Sequence, residues 1–141
     1  MNLLVHLRLA GALQILLAAM HLGFPRRFHW KEELSRLSLL NRQMFLVHTV
    51  FVCLVMSMFG ALSAFAPVAL LDPSPGPLAA LVLGGISFFW LVRLAIQWLV
   101  YDPALWRGDA FNKAVHYAFT VLWIYLTTVY GLACFRPAWG G

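Results

Sequence analysis

Five polar side chains that can bind a ligand or a metal lie near one end of the four apolar segments of this chain. They are His21, His48, Arg93, Gln97 and His116. His21 and Gln97 lie about one helical turn before the end of their segments, whereas His48 and His116 lie about one turn after the start of theirs. Arg93 lies one turn deeper than Gln97. Because polar groups are costly inside a bilayer, this layer indicates a candidate site.

Histidine is the common protein ligand for zinc, copper and haem iron. Two histidines on facing helices can bind haem b between them, and we expect His48 and His116 to form this axial pair. Arg93 suits a haem propionate or another anion because its donors form a rigid fork, and Gln97 lies one turn along the same helix face. Used together, His21, His48 and His116 would instead supply the three protein ligands of a metal centre with an open position.

The same residues also have purely structural explanations. A single histidine near a membrane interface is more often hydrogen-bonded than a ligand, and Arg93 can extend its stem towards the inner face. Trp90 and Trp123 lie deeper and could flank a planar cofactor, although helix packing is the simpler explanation. The sequence contains no HxxxH, HExxH or CxxC motif. The site and the structural explanation therefore both stay open.

The composition determines the class of protein that carries these residues. The chain has 141 residues, of which 62% are hydrophobic and 11% are charged, and its mean hydropathy is +0.82. Soluble domains have about 45–50% apolar and about 25% charged residues. This excludes a soluble enzyme, a nucleic-acid-binding module and a disordered regulator. The net charge of +5 is explained by basic loops at the inner face of a membrane.

Four apolar segments are long enough to cross a membrane as helices, since about 20 residues span the hydrocarbon core. They cover residues 3–24, 44–66, 78–101 and 113–135. Pro25, the proline-rich segment 72–77 and Pro103 separate them. We expect the first segment to be a retained helix and not a signal peptide, because it lacks a basic start and a clear cleavage site.

The expected architecture is a single all-α domain over residues 1–141, an up-down four-helix bundle with short connections. Small residues at helical spacing favour close helix packing. They are Ala10, Gly11 and Ala18 in the first segment, Gly60 and Ala64 in the second, and Gly84 and Gly85 in the third.

The distribution of basic residues predicts the orientation. Seven of the ten lie in the first and third loops, namely Arg26, Arg27, Lys31, Arg36, Arg42, Arg107 and Lys113. The second loop has none. By the positive-inside rule the first and third loops are cytoplasmic, so both termini lie outside. We expect a protein of the bacterial cytoplasmic membrane.

The first loop has a pattern of its own between Phe28 and Asn41. Leu34, Leu37 and Leu40 recur at helical spacing, with charged residues on the other sides. This predicts a short amphipathic helix along the inner interface. Such a helix either connects the first two spans or docks onto a partner subunit.

The third loop carries further polar groups on the same side of the membrane. Asp102 and Asp109 could bond to Arg93 or orient a ligating histidine. Alternatively, Asp109 or Asn112 caps the fourth helix, which is the expectation we favour for one of them.

Three functions agree with these observations. The first is a small membrane redox protein that binds haem b or a transition metal ion through the inner histidines and passes electrons to a carrier such as quinone. The second is a non-catalytic subunit or assembly factor of a larger membrane complex. The third is an enzyme or transporter for an anionic or lipid-linked substrate, with Arg93 as the anion-binding residue. A transporter of this size would have to form a homo-oligomer.

Overall fold

The computed structural model describes residues 2–72, 77–107 and 110–135. Of these residues 88% are helical and none lies in a strand. The α-helices are α1 (Leu3–Met20), α2 (Phe24–Arg27), α3 (Trp30–Glu33), α4 (Leu39–Phe65), α5 (Pro67–Leu71), α6 (Pro77–Leu99) and α7 (Ala110–Phe135). Two 3₁₀ turns, Leu34–Arg36 and Pro103–Leu105, follow α3 and α6.

Four of these helices, α1, α4, α6 and α7, are long and apolar enough to cross a membrane. They have 18, 27, 23 and 26 residues, respectively. The prediction of an all-helical chain with four candidate spans is thereby confirmed. The structure is compatible with an integral membrane protein.

The helix ends differ from the predicted spans by up to five residues. α4 begins at Leu39 because the Ser38 side chain accepts a hydrogen bond from the Asn41 backbone N–H (3.4 Å) and caps the helix. Because polar residues interrupt the apolar pattern at the start of α4, hydropathy alone predicts a helix that begins five residues too late. α7 begins at Ala110, and Asn112 therefore lies inside the helix and not at its cap. Asp109, the other predicted cap, lies outside the described residues.

The amphipathic helix predicted in the first loop is divided in the structure. α3 and the 3₁₀ turn Leu34–Arg36 cover only its first part. Leu37 is extended, with φ −84° and ψ 152°, because the chain must leave the helical region before Ser38 caps α4. Leu40 belongs to α4, so the three leucines do not share one helix. A left-handed residue, His29 with φ 49°, separates α3 from α2.

The chain forms two compact units. Among the described residues, the first contains 2–6, 68–72, 77–107 and 110–135, and the second contains 7–67. α6 and α7 belong to the first unit, whereas α4 and most of α1 belong to the second.

In the second unit α1 and α4 cross with their backbones in contact. A Cβ atom on Gly11 would lie 2.6 Å from the Gly60 carbonyl oxygen and 2.6 Å from the Ala64 amide nitrogen. A Cβ atom on Gly60 would lie 2.9 Å from the Gly11 carbonyl oxygen. Only glycine allows this approach, which is the usual way in which small residues join membrane helices. For these three residues the predicted role in helix packing is confirmed.

In the first unit α6 and α7 form an antiparallel pair. Near one end of the pair, the Cys134 thiol donates to the Ala80 carbonyl oxygen (3.3 Å). Further along, the Ser87 hydroxyl donates to the Thr127 carbonyl oxygen (2.9 Å). Residue numbers rise along α6 while those of its partners fall along α7, which establishes the opposite direction. The last turns of α6 therefore lie beside the first turns of α7.

Candidate functional site

The α6–α7 pair brings together three of the five predicted site residues. Arg93 and Gln97 lie one turn apart near the end of α6, and His116 lies in the second turn of α7. The antiparallel packing places Gln97 directly beside His116. Trp123, two turns further along α7, completes the group.

Gln97 lies at the centre of this group and is only 3% exposed. Its carbonyl oxygen, Oε1, accepts hydrogen bonds from an Arg93 terminal N–H (3.2 Å) and from the Trp123 indole N–H (3.4 Å). Its amide nitrogen, Nε2, donates to the His116 backbone carbonyl oxygen (3.2 Å) and lies 3.0 Å from His116 Nδ1. A glutamine amide has two acceptor and two donor positions. Gln97 therefore uses all four.

These contacts determine which nitrogen of His116 carries a proton. Guanidinium and indole groups only donate, and a backbone carbonyl only accepts, so the orientation of the Gln97 amide is assigned from the network. Its Nε2 must then donate to His116 Nδ1 as well. In the neutral imidazole the proton consequently lies on Nε2.

The Arg93 guanidinium contacts Gln97 on α6, Tyr101 just after α6 and Trp123 on α7. Its central carbon is 5.1 Å from the centre of the Trp123 ring and 5.5 Å from that of Tyr101. Helical side chains usually tilt towards the N-terminus. Arg93 instead contacts residues four and eight positions later, which shows that its charge is carried towards the end of α6. Its contacts within the described part of the chain are an amide and aromatic rings, and none is a carboxylate.

Aromatic rings surround His116, which is 6% exposed. Trp106 stacks on the imidazole with ring centres 4.4 Å apart, and Trp98 meets it edge-on at 4.9 Å. Trp106 follows the 3₁₀ turn Pro103–Leu105, which is capped by an Asp102 carboxylate oxygen that accepts from the Ala104 N–H (2.8 Å). Asp102 thus shapes the loop that carries Trp106.

The site residues predicted from the sequence do not include Trp98 and Trp106, whereas Tyr101 is expected on the helix face of Arg93 and Gln97. Aromatic residues near span ends are typical of the membrane interface, and this pattern does not separate those that line a site. The signal that could have found Trp106 is the Asp-Pro pair before it, which favours a capped turn. Trp90 and Trp123, which could have flanked a cofactor, stack directly on each other at 4.9 Å and 10°.

The other two predicted site residues, His21 and His48, lie in the second unit. Their Nδ1 atoms are 2.7 Å from the carbonyl oxygens of Leu17 and Met44, respectively. A carbonyl only accepts, so both Nδ1 atoms carry a proton, and in the neutral rings both Nε2 atoms keep a lone pair. His21 is partly exposed and its ring contacts Phe24 (4.5 Å), whereas His48 is exposed.

A three-ligand metal cluster is not found within residues 2–72, 77–107 and 110–135: no group of three or more His, Cys, Asp and Glu residues is arranged to hold an ion. The predicted haem pair, His48 and His116, stays a prediction. Metal-bound histidines usually donate their other ring N–H to a carbonyl or carboxylate. His21 and His48 have that arrangement, and His116 has the opposite tautomer.

No protein-family model, curated protein or solved structure matches this chain. The fold defines an all-helical protein with four helices able to span a membrane, and the function has to be inferred from the site itself.

Proposed function

We propose that this chain is an integral protein of a bacterial cytoplasmic membrane that binds an anionic or lipid-linked ligand through Arg93. The observation that carries the proposal is a half-buried guanidinium that Gln97 and two aromatic rings hold and no described carboxylate neutralises. A charged side chain among apolar helices is costly without a counter-charge. An anionic ligand supplies it.

The free donors of Arg93 define the chemistry of the ligand. A guanidinium has five N–H donors, and one of them is used by Gln97. Trp123 and Tyr101 contact the guanidinium through their rings, which accept no conventional hydrogen bond and so leave N–H groups for a ligand. Phosphate and carboxylate groups match such an edge because they accept two parallel hydrogen bonds. We expect a ligand that carries one of these groups.

The proposed topology places this site at a membrane surface. In an up-down bundle with both termini outside, the end of α6 and the start of α7 lie at the cytoplasmic face, as the basic first and third loops indicate. Arg93 extends in that direction, since it contacts Tyr101 beyond the end of α6. A lipid headgroup or a soluble anion can approach it from there.

The test compares Arg93→Lys with Arg8→Lys, a matched change at an exposed arginine of α1. Native mass spectrometry of the detergent-solubilised protein would measure the binding of phosphatidylglycerol, with phosphatidylcholine as the uncharged reference. Lysine keeps the charge but loses the two-donor edge, so we expect affinity to fall about tenfold, which corresponds to about 1.4 kcal/mol. Equal affinities for the two variants would contradict the proposal.

A second candidate function is a redox protein with haem b or a transition metal, and the tautomers of His21 and His48 favour it. Both histidines have a lone pair on Nε2 and a carbonyl partner for Nδ1, as metal ligands do. An absorption spectrum before and after dithionite tests this function in protein purified from haem-replete cells. A Soret band that shifts on reduction and is lost in His48→Ala supports it, and a featureless spectrum excludes haem.

A further inference from the structure

We infer that Gln97 is a positioning residue that holds His116 in the Nε2–H tautomer, so that the polar groups of Arg93 and His116 that remain free are all donors. The site then selects a group that has acceptors and no donors, such as a phosphodiester, a phosphate or a carboxylate. This inference rests on the proposed function, because it specifies the ligand of the same site.

The orientation of the Gln97 amide is the first step. If the amide turned by 180°, its NH₂ group would face the Arg93 and Trp123 donors, now 3.2 Å and 3.4 Å from Oε1. Its oxygen would face the His116 carbonyl oxygen, now 3.2 Å from Nε2. Two contacts would then join donor to donor, and the third would join acceptor to acceptor. Gln97 is too buried for water to supply the missing hydrogen-bond partners. The observed orientation is therefore the one that the site permits.

The state of the His116 ring follows from this orientation. Nδ1 accepts from Gln97, and the ring proton lies on Nε2. The contacts of the described residues include no acceptor for this N–H. Among those residues the buried side-chain N or O atom without a partner is Thr127 Oγ1, and His116 Nε2 does not belong to that class. A ring that is 6% exposed thus keeps a donor that has no acceptor among the described residues.

The ligand class follows from the donors that remain. Gln97 has no free acceptor, because Oε1 accepts from both Arg93 and Trp123. The free N–H groups of Arg93 and the Nε2–H of His116 both require acceptors. An oxyanion satisfies either of them, whereas a ligand group that itself donates would face a second donor. A lipid headgroup and a free phosphate share the required chemistry.

The first measurement is the tautomer of each histidine, by ¹⁵N NMR of histidine-labelled protein in micelles. The His116 signals are assigned as those that disappear in His116→Ala. We expect the proton on Nε2 in His116 and on Nδ1 in His21 and His48, which serve as internal controls. In Gln97→Glu the new carboxylate faces Nδ1, and the His116 signal should change to a ring protonated on Nδ1. A wild-type His116 with its proton on Nδ1 alone would overturn the inference.

The second measurement is binding, with phosphatidylglycerol nanodiscs as the lipid source and inorganic phosphate as the free source. Gln97→Glu should weaken binding at least tenfold because its carboxylate neutralises Arg93, whereas Gln97→Met, which adds no charge, should retain more affinity. Both variants are first checked for a single size-exclusion peak and wild-type helicity. If neither probe binds the wild-type protein, the proposed function and the ligand class are both overturned. Binding with the reversed tautomer overturns only the role given to Gln97.

Discussion

Gln97 illustrates how one neutral side chain can organise charged and aromatic neighbours within an apolar helix pair. It accepts from Arg93 and Trp123 and donates towards His116, so three side chains depend on one amide. Buried polar networks are stable when each member is satisfied and costly when one is removed. The site should therefore respond to the loss of a single donor even where no charge changes.

Trp123→Phe tests this dependence at the residue scale. Phenylalanine keeps a ring against Arg93 and Trp90 but removes the indole N–H that donates to Gln97. We expect a loss of about 1 kcal/mol in the free energy of unfolding, the net contribution of a typical buried hydrogen bond. Denaturant titrations followed by circular dichroism would measure it. Trp98→Phe is the matched control, because Trp98 is 53% exposed, and its stability should stay within about 0.5 kcal/mol of wild type.

The contact between α1 and α4 depends on small residues at one crossing. The Gly60 backbone touches Gly11 and Ile15 so closely that no other side chain fits without movement. Gly85 on α6 also belongs to the predicted small-residue pattern, but a Cβ atom there would meet nothing within 4 Å. The same residue type thus has two different roles in two helices.

Gly60→Ala should lower stability, whereas Gly85→Ala should not. At Gly60 the new methyl group would lie 2.8 Å from an Ile15 side-chain carbon and 2.9 Å from the Gly11 carbonyl oxygen, so we expect a loss of about 1–3 kcal/mol. At Gly85 the space is open, and alanine's higher helix propensity should leave stability unchanged or raise it by up to about 1 kcal/mol. Unfolding in mixed micelles would measure both. Similar losses in both variants would contradict the assignment of the crossing to Gly60.

At the scale of the whole molecule the central feature is the charge asymmetry of the loops. Seven of the ten basic residues lie in the first and third loops or in the first four residues of the helix that follows, and the second loop holds none. Because basic loops stay in the cytoplasm, this distribution predicts both termini outside. The end of α6 and the proposed site would then face the cytoplasm.

Single-cysteine variants test the orientation in intact cells. In a background with Cys53 and Cys134 replaced by serine, Ser74→Cys reports on the second loop and Ser35→Cys on the first. A membrane-impermeant maleimide should label Ser74→Cys in intact cells and Ser35→Cys only after lysis. The opposite labelling would place Arg93 near the outer face and would require an external ligand.

The sequence by itself determined the class of this protein. The apolar content and four segments of about 20 residues predict membrane-spanning helices, because hydropathy over that length depends on local composition alone. The structure contains four helices that are long and apolar enough to cross a membrane. The capped start of α4 at Ser38 and the division of the first loop were not predicted. Both depend on local backbone geometry, which the leucine spacing does not encode.

Only the tertiary structure decided which polar residues meet. Depth along the helices selected Arg93, Gln97 and His116, but the hydrogen bonds of Gln97 depend on the register between α6 and α7. The opposite tautomers of His116 and His48 likewise follow from the partner that each ring finds. Trp106 reaches His116 because a capped turn redirects the chain. Contacts between residues far apart in sequence arise from packing, and periodicity within one helix cannot specify them.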